Sequence, residues 1–154
     1  MDKVWLRDYP PGVPAEIDPD SIPSLKQLFE DACREHAARP AFTNMGRTLS
    51  YGEIAELSRR FGAWLQHEAG LARGDRIALM MPNVLQYPIA LIGALRAGLT
   101  VVNTNPLYTA RELEHQRNDS GAKVIVIFEN ACATLAGIIG RTRIERVIVT
   151  GIGD

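Results

Sequence analysis

Residues 76–103 read RIALMMPNVLQYPIALIGALRAGLTVVN, and this stretch decides the fold. Its first part, residues 76–81, is a short apolar run with little alternation, which is typical of a parallel strand covered on both faces. Residues 83–97 are apolar nearly all round, which indicates an interior helix with Gly98 as its C-terminal cap. Because proline disrupts a helix interior, Pro88 implies that this helix either starts close to it or kinks there.

The alternation of strand and helix continues toward the C-terminus. We expect a strand over 100–103, a helix that begins at a capping box of Thr109 and Glu112 and stops at Gly121, a strand over 123–128, a helix over 130–139 and a strand over 146–150. Strands that alternate with helices are joined by right-handed crossovers and form a parallel sheet. The sequence therefore predicts the α/β class, with a doubly wound, flavodoxin-like sheet and flanking helices.

An extended, proline-rich arm precedes this unit. Five prolines lie within residues 1–23: Pro10, Pro11, Pro14, Pro19 and Pro23. This density excludes a regular helix and predicts an extended segment, which Val4, Trp5 and Leu6 are placed to pin to a surface. We therefore divide the chain into an arm over 1–23 and an α/β unit over 24–154.

The α/β unit begins with a helix, a hairpin and a second helix. Ser24 stands three residues before Gln27, and Ser50 stands three residues before Glu53, so each pair predicts a capping box at the start of a helix. Between them, residues 44–47 have the turn chemistry of a short hairpin.

The composition is that of an ordinary globular domain. The 154 residues include 17 Lys and Arg and 18 Asp and Glu, with 46% hydrophobic and 23% charged residues. The net charge of −1 leaves no basic surface for a phosphate backbone, which excludes nucleic acid as a partner. The charged N-terminus does not resemble a signal peptide, and the apolar segment 88–102 is shorter than the ~20 residues that cross a bilayer. We expect a cytoplasmic protein.

No catalytic set and no metal site is predicted from the residues alone. Cys33 and Cys132 lie far apart, each within a predicted helix, and form neither a disulfide framework nor a Cys-x-x-Cys pair. His36, His67 and His115 lack the spacing and the cysteine partners of a zinc site. His115 has acidic neighbours on its predicted helix, but such histidines are common on exposed helix faces.

The loops after the predicted strands are where ligands bind in parallel sheets, and asparagines are prominent there. Asn83, Asn103 and Asn105 are therefore the candidate substrate-binding residues. A structural role is the stronger interpretation for each of them. Asn83 and Asn130 stand where helix N-caps belong, and Asn105 before proline is an ordinary turn opener.

Two glycines follow the last predicted strand. Gly151 and Gly153 give a Gly-x-Gly sequence, but a dinucleotide fingerprint also requires a third glycine and a helix. We interpret these glycines as a turn, and a truncated dinucleotide-binding unit is the weakest alternative.

Several segments together resemble a known enzyme family. Residues 101–122 read VVNTNPLYTARELEHQRNDSGA, and KVWL (3–6), PAF (40–42), SYGEI (50–54), GDRIA (74–78), MPN (81–83), QYP (86–88) and RAG (96–98) occur around them. In order and spacing they resemble the N-terminal part of bacterial long-chain fatty-acid CoA ligases, within the adenylate-forming acyl-CoA synthetase superfamily. Two departures are Ala110 in place of the usual proline and Arg117 in place of the usual leucine. The arginine interrupts the apolar stripe of its helix.

The resemblance implies an enzyme that joins a fatty acid to ATP as an acyl-adenylate, releases pyrophosphate, and transfers the acyl group to CoA with release of AMP, assisted by Mg²⁺. In that family the phosphate loop, the adenine and ribose contacts and the catalytic lysine lie C-terminal to the matched region. We therefore carry over no catalytic, cofactor-binding or metal-binding residue, and we expect this chain to be inactive alone.

Two expectations concern partners. The apolar helix over 83–97 and the arm around Trp5 predict exposed apolar surface and self-association as a homodimer. Peripheral association with the inner face of the cell membrane remains an open alternative. A free-standing flavodoxin-like module that binds a small ligand or a protein is the main rival to the ligase interpretation.

Overall fold

The computed structural model describes residues 2–154, and its first elements are helices and a hairpin. In chain order they are a 3-10 helix (Val4–Asp8), α1 (Leu25–Glu35), β1 (Pro40–Asn44), β2 (Arg47–Ser50) and α2 (Tyr51–His67). The hairpin turn contains Met45 at φ 48° and Gly46 at φ 80°, the left-handed pair of a type I′ turn. The predicted hairpin is confirmed.

The arm differs from the prediction in one element. Val4–Asp8 form a 3-10 helix, although the sequence predicted extended chain throughout residues 1–23. The prolines begin only at position 10, so nothing opposes a helical turn before them. Val4 and Trp5 are exposed, whereas Leu6, the third side chain predicted to pin the arm, is half-buried.

The two predicted capping boxes differ in completeness. The hydroxyl of Ser50 accepts the backbone N–H of Glu53, and the Glu53 carboxylate accepts the backbone N–H of Ser50. Ser24 accepts the N–H of Gln27, but the Gln27 amide donates to Asp31 at 3.0 Å, on the next turn of its helix. The box at Ser50 is complete, whereas the one at Ser24 has only the hydrogen bond that the Ser24 hydroxyl accepts.

The remaining elements build a four-stranded sheet. They are β3 (Arg76–Met80), α3 (Gln86–Arg96), β4 (Thr100–Asn103), α4 (Ala110–Ser120), β5 (Val124–Phe128), α5 (Cys132–Ala136) and β6 (Arg146–Thr150). The strands are all parallel and lie in the order β4-β3-β5-β6. This is the flavodoxin-like order, in which the second strand of the sheet lies outside the first. The predicted fold class is confirmed.

Helices cover both faces of the sheet. Ile77, Leu79, Val124 and Val126 point toward α2 and α3 and join Leu65, Ala90, Ala94 and Ala97 in one core. Ala78, Met80, Ile125 and Ile127 point toward α4 and α5 and join Leu113, Leu135 and Ile138 in another. The strands β3 and β5 are buried on both faces, which explains why they are apolar runs without alternation.

Helix α3 is shorter than predicted and begins without a side-chain cap. It starts at Gln86, so Pro88 lies in its first turn, where a missing N–H is tolerated. Its N-cap residue is Leu85, and the prediction that Asn83 caps it is wrong. Gly98 follows the helix at φ 76° and ends it as predicted.

Two glycines set the distance between α2 and α3. A β-carbon built at Gly62 would lie 2.8 Å from the carbonyl oxygen of Gly93, and one built at Gly93 would lie 2.9 Å from the carbonyl oxygen of Ser58. Real β-carbons do not approach backbone oxygens so closely, so the two helices meet backbone to backbone at this crossing.

The predicted helix over 130–139 is broken into three short pieces. Glu129–Ala131 and Ile139–Arg141 are 3-10 helices on either side of the five-residue α5. Asn130 lies inside the first piece, so it is not the predicted N-cap. The chain turns directly out of β5 at Phe128, which leaves no extended residue at position 130 to serve as a cap.

An ion pair ties the amino-terminal ends of two strands together. Lys123, just before β5, donates to the Asp75 carboxylate at 2.8 Å, and Asp75 also accepts the backbone N–H of Ala72 at 3.0 Å. These hydrogen bonds lower the pKa of Asp75. The Gly-Asp-Arg segment therefore has a structural role at the end of the sheet opposite the carboxyl ends.

Candidate functional site

The candidate site is the carboxyl edge of the sheet. In the observed strand order, the connection that follows β3 leads to β4 on one side of β3. The connection that follows β4 leads to β5, on the other side of β3. The crevice that results lies between the carboxyl ends of β3 and β5, and it is bordered by the loops that begin at Pro82 and Glu129. Ligands of open parallel sheets bind at such a switch point.

The structure separates the three candidate asparagines. Asn83 lies in the loop after β3, at the crevice, whereas Asn103 is the last residue of the edge strand β4 and Asn105 follows it. The carbonyl oxygen of Asn83 accepts the side-chain amide of Asn44 at 3.1 Å, which joins the hairpin to this loop. All three are exposed, and of the three only Asn83 follows a strand that flanks the switch point.

Asn103 and Asn105 both have structural contacts. The side-chain oxygen of Asn103 accepts the Tyr87 hydroxyl at 3.0 Å, and its backbone oxygen accepts the amide of Gln116 at 3.1 Å. The side-chain oxygen of Asn105 accepts the backbone N–H of Leu107 at 3.0 Å, which closes an Asx turn. These contacts hold the loop between β4 and α4.

The Gly-x-Gly segment forms a closed turn after β6. The Asp154 carboxylate accepts the backbone N–H of Gly151 at 2.7 Å and the hydroxyl of Thr150 at 3.1 Å, and these hydrogen bonds lower the pKa of Asp154. The Glu129 carboxylate also lies beside Gly151, about 3.0 Å from the position of a β-carbon there. The backbone N–H of Gly151, which would have to bind a phosphate, already donates to Asp154. The carboxylates of Asp154 and Glu129 would also repel a phosphate, so this turn does not fit a dinucleotide or a triphosphate.

Sequence reasoning missed a polar contact that crosses the crevice. Gln86, the first residue of α3, donates from its side-chain amide to the backbone oxygen of Gly151 at 2.9 Å. This hydrogen bond connects the start of α3 to the turn after β6. The only available signal was the QYP segment, which by itself indicates no contact partner.

The second feature that sequence reasoning missed is a buried cation. Arg117 is completely buried, and its Nη2 donates to the hydroxyl of Thr104 at 2.7 Å and to the side-chain oxygen of Gln116 at 2.6 Å. Its Nε and Nη1 have no hydrogen-bond partner among residues 2–154. Burial lowers the pKa of Arg117 to about 10. The sequence predicted only a weakened apolar stripe at this position.

The other titratable candidates form no acid–base pair. His115 is exposed, and the carboxylate of Glu112, one turn before it, accepts the backbone N–H and hydroxyl of Thr109 in a complete capping box. Cys33 is buried, which raises the pKa of its thiol, and Cys132 is half-buried. The predicted helix start at Thr109 is confirmed, and His115 has no activating partner in that box.

The described residues contain neither a metal-binding cluster nor a membrane-spanning helix. Across residues 2–154, His, Cys, Asp and Glu side chains nowhere form a group of three that could hold a metal ion. Every helix in the same range is too short or too polar to cross a bilayer.

Comparison with known proteins identifies the family. Residues 29–151 match the family model described as AMP-binding enzyme. A long-chain-fatty-acid–CoA ligase of Yersinia pestis is 56% identical over all 154 residues, and one of Bacillus subtilis is 32% identical over 152 residues. The chain spans only 27% of the length of each of these two curated relatives.

Solved structures agree on the fold. A long-chain-fatty-acid–CoA ligase of Archaeoglobus fulgidus superimposes with a TM-score of 0.75 at 26% identity, over 93% of this chain and 30% of that one. An anthranilate–CoA ligase superimposes with a TM-score of 0.78 over 81% of this chain, and its 18% identity bears on the fold alone. The chain therefore belongs to the AMP-binding enzyme family, within which it corresponds to the N-terminal portion of long-chain-fatty-acid–CoA ligases.

Proposed function

We propose that this chain is the N-terminal portion of an AMP-forming long-chain fatty-acid–CoA ligase. The whole enzyme would condense a fatty acid with ATP to an acyl-adenylate and pyrophosphate, and would then transfer the acyl group to CoA with release of AMP. The observation that carries the proposal is 56% identity over the full chain to a ligase of which it spans 27%. Mg²⁺ would offset the phosphate charge during adenylation.

The role of this portion is to serve as scaffold. Gly151 has its N–H bonded to Asp154, Asn103 and Asn105 hold the loop after β4, and His115 is exposed without an activating partner. These contacts support the proposal that no residue of this chain is catalytic. The groups that bind nucleotide would then lie in polypeptide that follows this portion. Of the candidate asparagines, Asn83 is the one that borders the crevice and remains our candidate for substrate contact.

The arm and the α/β unit have separate roles in this proposal. Residues 1–23 form an arm, and residues 24–154 form the N-terminal α/β subdomain of the ligase. The protein would act in the cytoplasm, with peripheral association at the inner face of the membrane where its fatty-acid substrate partitions. It would not bind nucleic acid, since its net charge is −1.

Self-association of the isolated chain is also proposed, but not through helix α3, which was one of the two surfaces that the sequence indicated. Helix α3 has Pro88, Ala90, Ile92, Gly93 and Ala94 buried, so it provides no free apolar face. Exposed apolar side chains remain on the arm and on strand β6. A homodimer would therefore form through one of those surfaces.

One assay tests the ligase proposal. Acyl-CoA formation from ATP, CoA and a long-chain fatty acid is measured on the isolated 154-residue chain and on the product of the longest reading frame that contains it. We expect activity only in the longer protein. Activity of the isolated chain, or its tight binding of Mg²⁺-ATP in a calorimetric titration, would overturn the scaffold assignment.

The reading frame separates the ligase from its rival. Continuation past Asp154 into a Ser/Thr/Gly-rich loop followed by lysine supports the ligase. A natural stop codon at that point would favour a free-standing module with a ligand of its own.

A further inference from the structure

Arg117 is a buried cation of which one nitrogen makes all the hydrogen bonds. Its Nη2 has two acceptors, whereas Nε and Nη1 have no partner among residues 2–154. Those residues enclose the guanidinium completely, so further polypeptide would have to displace them to reach it. Unpaired donors on a buried charge lower the stability of a fold. Proteins accept such costs at functional sites, so a function for Arg117 has to be found in the contacts of Nη2.

A chain of hydrogen bonds leads from Nη2 to the ring of Tyr87. Nη2 donates to the side-chain oxygen of Gln116 at 2.6 Å and to the hydroxyl of Thr104 at 2.7 Å. The side-chain nitrogen of Gln116 donates to the backbone oxygen of Asn103 at 3.1 Å, and the side-chain oxygen of Asn103 accepts the Tyr87 hydroxyl at 3.0 Å. The Gln116 amide has one accepting and one donating end, so the Arg117 donor decides which end faces Asn103.

The hydrogen-bond chain crosses the sheet at the carboxyl end of β4. Arg117 lies on α4, on one face, whereas Tyr87 lies in the first turn of α3 and packs against the core on the other face. Asn103 is the last residue of β4, and Thr104 after it donates its backbone N–H to the carbonyl oxygen of Leu79 at 2.9 Å. The end of this strand is therefore held between helices on both faces, and a change at Arg117 is transmitted to Tyr87.

Tyr87 borders the place proposed for substrate contact. Tyr87 and Asn83 line one groove of about 310 Å³, between strand β1 and the segment that follows β3. Most of its other walls are apolar, from Phe42, Val84, Leu85 and Pro88. Because the ring forms a wall of this groove and Asn103 holds its hydroxyl, loss of that contact would let the ring move and would change the space beside Asn83.

We propose that Arg117 is a positioning residue for substrate binding by the ligase. By orienting the Gln116 amide it holds Asn103, and Asn103 holds the Tyr87 ring beside the groove at Asn83. The proposal rests on the ligase function proposed above, and it leaves Arg117 without contact to any reacting atom, as the scaffold assignment requires. If Arg117 served packing alone, an apolar side chain of similar length would serve at least as well.

Steady-state kinetics on the product of the longest reading frame that contains the chain test this proposal. KM and kcat for acyl-CoA formation are measured with ATP, CoA and the fatty acid varied in turn. Tyr87→Phe removes only the hydroxyl, and we expect it to raise the KM of the substrate that the groove contacts about fivefold, the worth of one hydrogen bond. Its kcat should change less than about twofold, because the contact serves binding and not the reaction itself.

A double-mutant cycle tests whether Arg117 acts through Tyr87. Arg117→Met should raise the KM of the same substrate by a similar factor, and its addition to Tyr87→Phe should raise that KM no further. A general loss of packing would instead give effects that multiply and that spread over all three substrates. Arg117→Lys keeps a donor nitrogen toward Gln116 and should retain a KM within about twofold of the wild type.

Arg111→Met is the matched control, because it removes the same charge from an exposed position of the same helix and should leave every KM unchanged. Thermal unfolding of the same preparations checks that each variant is folded. In an active enzyme, unchanged KM values in Arg117→Met or Tyr87→Phe, multiplicative effects in the double variant, or an Arg117→Lys variant as impaired as Arg117→Met would overturn the positioning role. A wild-type protein that forms no acyl-CoA would instead overturn the proposed function, and the positioning role would fall with it.

Discussion

Replacement of the buried Arg117 by methionine should make the chain more stable. The guanidinium is completely buried on α4, and two of its three nitrogens have no partner among residues 2–154. Methionine is a flexible apolar side chain of similar length and has no charge to bury. The hydroxyl of Thr104 would lose the arginine but could still donate to the carbonyl oxygen of Val102, which it contacts at 3.3 Å.

The size of the effect follows from the pKa of Arg117. Burial lowers it to about 10, and at about 1.4 kcal/mol per pKa unit the charged form is disfavoured by roughly 3 kcal/mol. Loss of the hydrogen bond to Thr104 offsets roughly 1 kcal/mol of that gain. We expect a net stabilisation of roughly 2 kcal/mol, which for a chain of this length raises Tm by roughly 4–8 °C.

The gain should also depend on pH in a defined direction. The unfolded chain holds the Arg117 proton more tightly than the folded chain, so the penalty is complete below about pH 10. Above that pH the folded side chain loses its proton first, and the penalty declines. The advantage of Arg117→Met should therefore be constant from about pH 7 to 9 and should shrink toward about pH 11.

Thermal and urea unfolding followed by circular dichroism provide the measurement. Arg111→Met is the matched control, because Arg111 is an exposed arginine on the same helix and its replacement should change stability by less than about 0.5 kcal/mol. If Arg117→Met is folded but less stable than the wild type, the guanidinium has a compensating partner and the reasoning is wrong.

Three further changes have defined outcomes. Asp75→Asn should cost about 1 kcal/mol at pH 7, because an amide has only one acceptor oxygen for Lys123 and the backbone N–H of Ala72 and has no charge to pair with Lys123. Because folding lowers the pKa of Asp75, this difference should be lost in urea titrations as the pH falls below the ordinary range of an aspartate pKa. Ser50→Ala should cost about 1 kcal/mol through loss of the α2 capping box, and an unchanged urea midpoint would contradict that role. Gly93→Ala should cost roughly 1–3 kcal/mol by forcing α2 and α3 apart, whereas Gly140→Ala, with open space around it, should be close to neutral; equal Tm values for the two variants would show that the crossing can relax.

The sheet and most helix boundaries could be predicted because their signals are local. Apolar runs without alternation marked β3 and β5, and these strands are buried on both faces. Ser50 and Thr109 each stand three residues before a glutamate, and both begin helices with complete capping boxes. Such patterns need only a few consecutive residues, so tertiary packing rarely overrides them.

Two of the errors occurred where the chain leaves a strand for a helix. Asn83 and Asn130 were predicted as N-caps because asparagine favours that position, but the loop after β3 and the abrupt turn after β5 decide the local geometry. The burial of Arg117 was also out of reach, since a charged residue on a helix is normally exposed. Its partner Thr104 lies 13 residues away, and no local pattern joins the two.

The position of the candidate site stays a prediction, and the structure adds the strand order to it. Loops after parallel strands were the expected place, and the observed strand order puts the crevice between β3 and β5. That order cannot be deduced from the succession of elements alone, so Asn103 and Asn105, at and after the end of the edge strand, were candidates beside Asn83.

The crossing of α2 and α3 limits how this protein can change. Gly62 and Gly93 each leave room that the backbone of the other helix fills. In most cores a larger residue on one side can be accommodated by a smaller one opposite, but here neither position can become smaller. Neither glycine can therefore rescue a substitution at the other, and any variant that regains stability must do so by moving a whole helix.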